Sequence, residues 1–222
     1  MAAAEPYPFR PGHFRRQDES GDANFYAIPR LVTHIDDQAI AAATAFYRQQ
    51  LPADGRILDL MSSWVSHLPP DVEYATVTGL GMNGAELAAN PRLTGHLVHD
   101  LNASPALPWP AASFDGAIIT VSVQYLTRPV EAFVEVGRVL TPGAPFIVTF
   151  SNRCFPTKAV AVWQVLGDED HAQLVATYFG LAGAFAPAEV FDLSPNPSRS
   201  DPLFAVMARA LPEEKWRPPI LG

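Results

Sequence analysis

Short apolar runs, each closed by turn-forming residues, recur along the 222-residue chain. The central one lies in residues 56–69, where Ile57, Leu58 and Leu60 are apolar and Asp59 is set among them. A run that short, just after the turn residues 52–55, predicts a strand buried on both faces of a parallel sheet. Ser62, Ser63, Trp64 and Ser66 follow where the strand must leave the sheet. In open α/β sheets ligands bind outside the carboxyl ends of the strands, beside that first turn. Residues 74–80, 95–99, 116–122 and 146–150 repeat the β pattern and predict a second to a fifth strand.

Between the strands the spacing changes to that of helices. Ile40, Ala43, Phe46 and Tyr47 share one face of a helix that Asp36 can cap and that ends near Gln50. A short helix over 85–89 is stopped by Asn90 and Pro91. Pro129 opens a helix carrying Phe133, Val136, Val139 and Leu140, and Thr141, Pro142 and Gly143 close it. After a long connection a further helix covers about 168–181, and two strand-like pieces, 188–193 and 203–208, flank the turn-rich stretch 194–202. This order predicts an α/β fold with a mainly parallel seven-stranded sheet and one antiparallel strand near its end. Residues 1–50 read as an N-terminal arm and cap helices, and 51–222 as the α/β domain. The arm, with Pro6, Pro8, Pro11 and Gly12, cannot build a core; it is either disordered or a strap held by Tyr7, Phe9 and Phe14.

Composition narrows the partners. Hydrophobic residues make up 48% of the chain and charged residues 17%, so a buried core is assured and the surface is lean in charge. Such a surface leaves room for a self-association face, as in a homodimer. A net charge of −8 argues against nucleic acid and anionic membrane as partners. The single cysteine, Cys154, excludes an internal disulfide framework and suits a cytoplasmic location. No stretch is long and apolar enough to span a bilayer, and the first residues lack a secretory signal pattern. His34, His67 and His99 are dispersed without an i, i+4 pair or a cysteine partner, so no metal site is expected.

Three stretches resemble class I S-adenosylmethionine-dependent methyltransferases of the type 11 branch: ILDLMSS (57–63), HDLNASPALPWPAASFDGAIITVSVQYL (99–126) and VEAFVEVGRVLTPGAPFIVTFSN (130–152). The resemblance spans about residues 47–210 and implies a Rossmann-like methyltransferase fold that binds S-adenosylmethionine. It places Asp59 near the methionine end of the cofactor and Ser62 and Ser63 against its carboxylate or ribose. Met82 would flank the adenine; Asp100 would accept from its amino group, with the Leu101 amide and Asn102 beside it and Ser122 at the end of the fourth strand. It puts Tyr26, His34 and Tyr125 on the acceptor side, His34 as general base, with Arg30, Gln124 and Arg153 converging on the same cleft.

Two departures from the family pattern bear on the cofactor. The turn after Asp59 reads Met61, Ser62, Ser63 where the family has glycines, and Gly81 stands where the second strand usually ends in the acid that binds the ribose hydroxyls. Ribose recognition then falls to Asn83, Glu86 or water. The sequence therefore supports methyl transfer to a small-molecule acceptor. It also supports a methyltransferase-like domain that has lost cofactor binding and serves as a binding or regulatory protein, or an enzyme using another ligand on the same fold.

Overall fold

The apolar run around Asp59 forms the strand β1 (Arg56–Leu60), paired in parallel with its neighbours on both sides. Before it lie a four-residue helix, α1 (Asp22–Phe25), and the longer α2 (Asp37–Gln50). After it come β2 (Thr76–Gly81), α3 (Gly84–Ala89), β3 (Gly95–Val98), β4 (Gly116–Thr120), α4 (Pro129–Val139), β5 (Pro145–Phe150), α5 (Ala161–Val165), α6 (Asp168–Ala182), β6 (Glu189–Asp192) and β7 (Phe204–Arg209). The computed structural model describes residues 7–221; the first six residues of the arm, Pro6 among them, lie outside the described residues.

The strand order is β3-β2-β1-β4-β5-β7-β6. β7 runs antiparallel to both β5 and β6, and every other pairing is parallel. The expected seven-stranded sheet with one antiparallel strand is present. The order reverses between β1 and β4, and such a switch point opens a crevice at the carboxyl edge.

The alternation of β1 divides the core. Leu58 and Leu60 face the side covered by α4 and α6, where Phe133, Phe146, Phe179 and Phe185 stack edge to face. Ile57 faces α2, whose Ala39, Ala43, Phe46 and Tyr47 are buried against Ile118 and Ile147. The small alanines let α2 approach the sheet closely, so its packing runs across residue 50. Tyr47 is fully buried, and its hydroxyl joins Thr120 Oγ1 (2.7 Å) and Thr149 Oγ1 (2.9 Å) at the carboxyl ends of β4 and β5.

Two details differ from the sequence expectation, and of the two readings of the arm the strap holds. β4 ends at Thr120 rather than Ser122, because Val121 turns into the left-handed region (φ 45°), a conformation that strains a β-branched residue. The connection after β5 contains α5. The arm is a strap: Phe9 and Phe14 pack on Tyr178, and the Ala161 N–H donates to Arg15 O (2.8 Å).

Candidate functional site

At the carboxyl edge the strand ends and the strap enclose a cleft with about 120 Å³ of interior room, inside an open-mouthed depression of about 1140 Å³. Asp59, Ser62, Ser63, Gly81, Met82, Asp100, Leu101, Asn102, Ser122, Tyr26, His34 and Tyr125 all line it. Residues spread over a hundred positions are thus brought to one surface. Cys154, Gln124 and Arg153 are not part of that lining.

The β1–β2 wall is a closed polar network. Asp59 is buried, and its Oδ2 accepts from the Ser62 hydroxyl (2.6 Å) and the Ser66 hydroxyl (2.5 Å). Burial outweighs these two bonds and raises the Asp59 carboxyl to about 7. Asn90 Nδ2 donates to Ser63 O and Ser66 Oγ, both at 2.9 Å. The Ser63 hydroxyl donates to Glu86 Oε2 (2.5 Å), and Glu86 Oε1 accepts from the Arg30 N–H (2.7 Å). Asn83 caps α3 by accepting from the Ala85 and Glu86 N–H groups, while its Nδ2 donates to Tyr26 O (2.8 Å). Asn83 and Glu86 therefore already serve the fold at the place left open for ribose recognition.

The backbone explains the two departures from the family pattern. The left-handed residue of the first turn is Met61 (φ 53°), not one of the serines. A Cβ on Gly81 would stand 2.2 Å from Ser62 O, and the Ser62 N–H donates to Leu80 O (2.8 Å), so the turn is pinned against β2. Only glycine fits there, and a carboxylate side chain at position 81 is excluded by space rather than by conformation.

The opposite wall is built by β3, β4 and the strap. Asp100 Oδ1 accepts from the Asn102 and Ala103 N–H groups, so it shapes the turn that presents Leu101. Asn102 Nδ2 donates to Asp22 Oδ2 (2.8 Å) and Tyr125 O (3.0 Å), and its Oδ1 accepts from the Thr127 N–H. The Tyr125 hydroxyl accepts from the Phe155 N–H (2.8 Å), and burial lifts its phenol to about 12. Burial raises Tyr26 as well, so neither tyrosine is a base near neutrality. His34 lies at the mouth with its ring 5.3 Å from that of Phe155, and partial desolvation lowers its pKa, which keeps the imidazole neutral and able to take a proton. Burial also takes the neighbouring His67 down to about 4. The Ser122 Oγ is buried without a hydrogen-bond partner among the described residues.

The strap is tied down by charges that the sequence did not announce. Asp22 receives Arg16 Nη1 in a two-oxygen contact (2.7 and 2.9 Å) and lies 3.2 Å from Lys158 Nζ. Lys158 has no exposed surface and donates to Asp18 O (3.2 Å) and Ser20 O (2.7 Å). Burial pushes the Asp22 carboxyl up, but Arg16, Asn102 and Lys158 together hold it below its ordinary value. Over the cleft itself, Trp64 Nε1 donates to Val32 O (2.9 Å). Lys158 and Phe155 carry no local signature, since each matters through a partner far along the chain.

A seven-stranded sheet in this order with a cleft at its switch point is the class I S-adenosylmethionine-dependent methyltransferase fold. The family model described as "Methyltransferase domain" matches residues 60–148, and the resemblance drawn from the motifs holds. By sequence no curated protein matches the chain. Among solved structures it is similar to the Haloferax volcanii chain determined in complex with the Trm112 methyltransferase activator, at a TM-score of 0.60 and 15% identity over 80% of this chain and 91% of that one. It is also similar to a SAM-dependent methyltransferase from Aquifex aeolicus (TM-score 0.57, 14% identity, 78% and 92% covered). A third likeness is to the cyclase SpnF (0.55, 16%, 76% and 80%). At these identities the likeness is one of fold.

The cleft's own chemistry fits the cofactor. Met82, Leu101 and the Asp100 turn all line the cleft, apolar groups beside an acceptor. Asp59, a buried carboxyl without a cationic partner among its hydrogen bonds, suits the ammonium end of an amino acid. Among the described residues no group of His, Cys, Asp and Glu is placed to hold a metal ion, and no helix is long and apolar enough to cross a membrane.

Proposed function

We propose that the chain binds S-adenosylmethionine in this cleft and transfers its methyl group to a small-molecule acceptor. When bound, the cofactor supplies a methyl group on a sulfonium, which leaves as a neutral thioether when the acceptor's nucleophile forms the new bond. Asp100 and Leu101 would hold the adenine, Met82 its face, and Ser122 and Asp59 the amino-acid end. The strap residues 24–34 would exclude water and fix the acceptor, which is where most of the rate in such a transfer arises. His34, neutral at the mouth, would take the acceptor's proton at an imidazole nitrogen. The observation that carries the reading is the convergence of the ends of β1, β2, β3 and β4 and the strap on one cleft.

A second reading has its own support. The place of the ribose-binding acid is filled by a glycine with no room for a side chain, and the nearest polar groups already hold one another. A domain of that kind would bind a partner or another ligand without transferring methyl groups. S-adenosylhomocysteine distinguishes the two. At about 100 times its dissociation constant it should stabilise the folded chain by about 2.7 kcal/mol, seen as a melting shift. No shift at millimolar ligand overturns the methyltransferase reading in favour of the second.

A further inference from the structure

Arg30 crosses the cleft. Its N–H is held by Glu86 beyond β2, whereas its guanidinium lies 4.5 Å from the centre of the Phe25 ring, 5.5 Å from that of Phe155 and 6.0 Å from that of Tyr26. Nη2 donates to Phe25 O (2.9 Å), and Nη1 is buried with no hydrogen-bond partner among the described residues. Arg16 and Lys158, the cations that tie down the strap, each sit on carboxylates, while none lies within ion-pair distance of the half-buried Arg30 among the described residues. Among the described residues no other arginine or lysine lines the cleft.

A guanidinium carries donors in a planar fork that matches a carboxylate. Rings on several sides hold its head in place and exclude water, so it lacks both a counter-ion and full hydration, a condition that an incoming anion relieves. His34 packs on the same Phe155 ring at 5.3 Å. The guanidinium and the imidazole thus both pack on the Phe155 ring, and Tyr125 stacks on it from 6.0 Å.

We propose that Arg30 anchors a carboxylate carried by the methyl acceptor, which makes the acceptor class a small, flat carboxylic acid. The word acceptor rests on the methyl-transfer reading; the carboxylate site does not. The amino-acid tail of the cofactor carries a carboxylate too; the guanidinium lies among Phe25, Tyr26 and Phe155, rings of the acceptor side, and the experiment separates the two sources.

The test is binding to the full chain, read by calorimetry and melting shift, with benzoate, cinnamate and indole-3-acetate against their amides, with and without S-adenosylhomocysteine. At least one acid should bind about 10- to 100-fold tighter than its amide, and Arg30→Gln should remove that preference while the melting temperature of the free protein holds. Arg30→Lys should recover only part of it, since the charge stays and the fork is lost. If no acid is preferred over its amide, or the preference survives in Arg30→Gln, the proposal is overturned. A separate arm compares S-adenosylhomocysteine with 5′-methylthioadenosine, which lacks the amino-acid tail. If Arg30→Gln weakens the first and spares the second, the carboxylate is the cofactor's and the acceptor assignment falls. If neither nucleoside binds the wild-type chain but an acid does through Arg30, the methyl-transfer reading fails while the carboxylate site stands.

Discussion

The two walls of the cleft differ in how far their polar groups are satisfied. On the β1–β2 side Asp59, Ser62, Ser63, Ser66, Asn83, Glu86 and Asn90 all have partners, mostly in one another. On the side of the strap and β4, Arg30 Nη1 and Ser122 Oγ are buried without partners among the described residues. Folded proteins satisfy nearly all buried polar groups, so an unsatisfied cluster marks a place where a ligand or water completes the structure. The first wall is finished by folding, and its side chains chiefly support stability; the second is finished by binding. A position matched to a family motif can therefore serve the fold even where it faces the cleft, as Ser63 does.

The largest effect should come from removing what joins the walls. Deleting residues 1–34 would strip Lys158 of Asp18, Ser20 and Asp22 and uncover Tyr178, so the buried ion-pair network and the apolar cover are lost together. A loss on the order of 3–5 kcal/mol is expected in a denaturant titration, and Lys158→Met in the shortened chain should recover part of it. A shortened chain as stable as the full one would show that the strap is an accessory and that the two walls stand alone.

Next is Gly81→Ala, which drives a methyl group into Ser62 O across a pinned turn. It should cost about 1–3 kcal/mol, read from the unfolding midpoint, because the finished wall has no slack. A neutral outcome would mean that the turn yields and that an acid side chain at 81 is tolerable after all.

Asp59 gives the same wall a pH dependence. In the folded chain burial keeps it protonated up to about 7, while the unfolded chain releases that proton near the ordinary 3.8. The folded state binds more protons between those values, so this contribution is complete at low pH and is lost as pH rises through the window. Asp59→Asn should flatten that part of the melting-temperature profile; an unchanged slope would refute the assignment to Asp59.

The smallest expected change in stability is in Ser122→Ala. Its hydroxyl makes no hydrogen bond among the described residues, so removing it should move stability by less than about 0.5 kcal/mol or raise it slightly. A large destabilisation would show that the unsatisfied wall is part of the fold like the other.

Much of the architecture was legible in the sequence because it depends on local pattern. The run around Asp59, the spacing of Ala43, Phe46 and Tyr47, and the Pro129 and Gly143 boundaries dictate element types through periodicity and backbone preference. The element order then allows few topologies other than a parallel sheet with a late antiparallel strand. Even the cleft lining could be named, since ligands sit at strand carboxyl ends. Partnerships were not legible. That Asp22 meets Lys158, that Glu86 joins Ser63 to Arg30, and that Gly81 lies under Ser62 O are matters of distance between residues 23 to 136 positions apart or held by one backbone turn. Hydrophobic pattern determines which face of an element is buried; only the packed sheet decides which polar groups find each other there, and which, like the Arg30 guanidinium, are left facing the space between the walls.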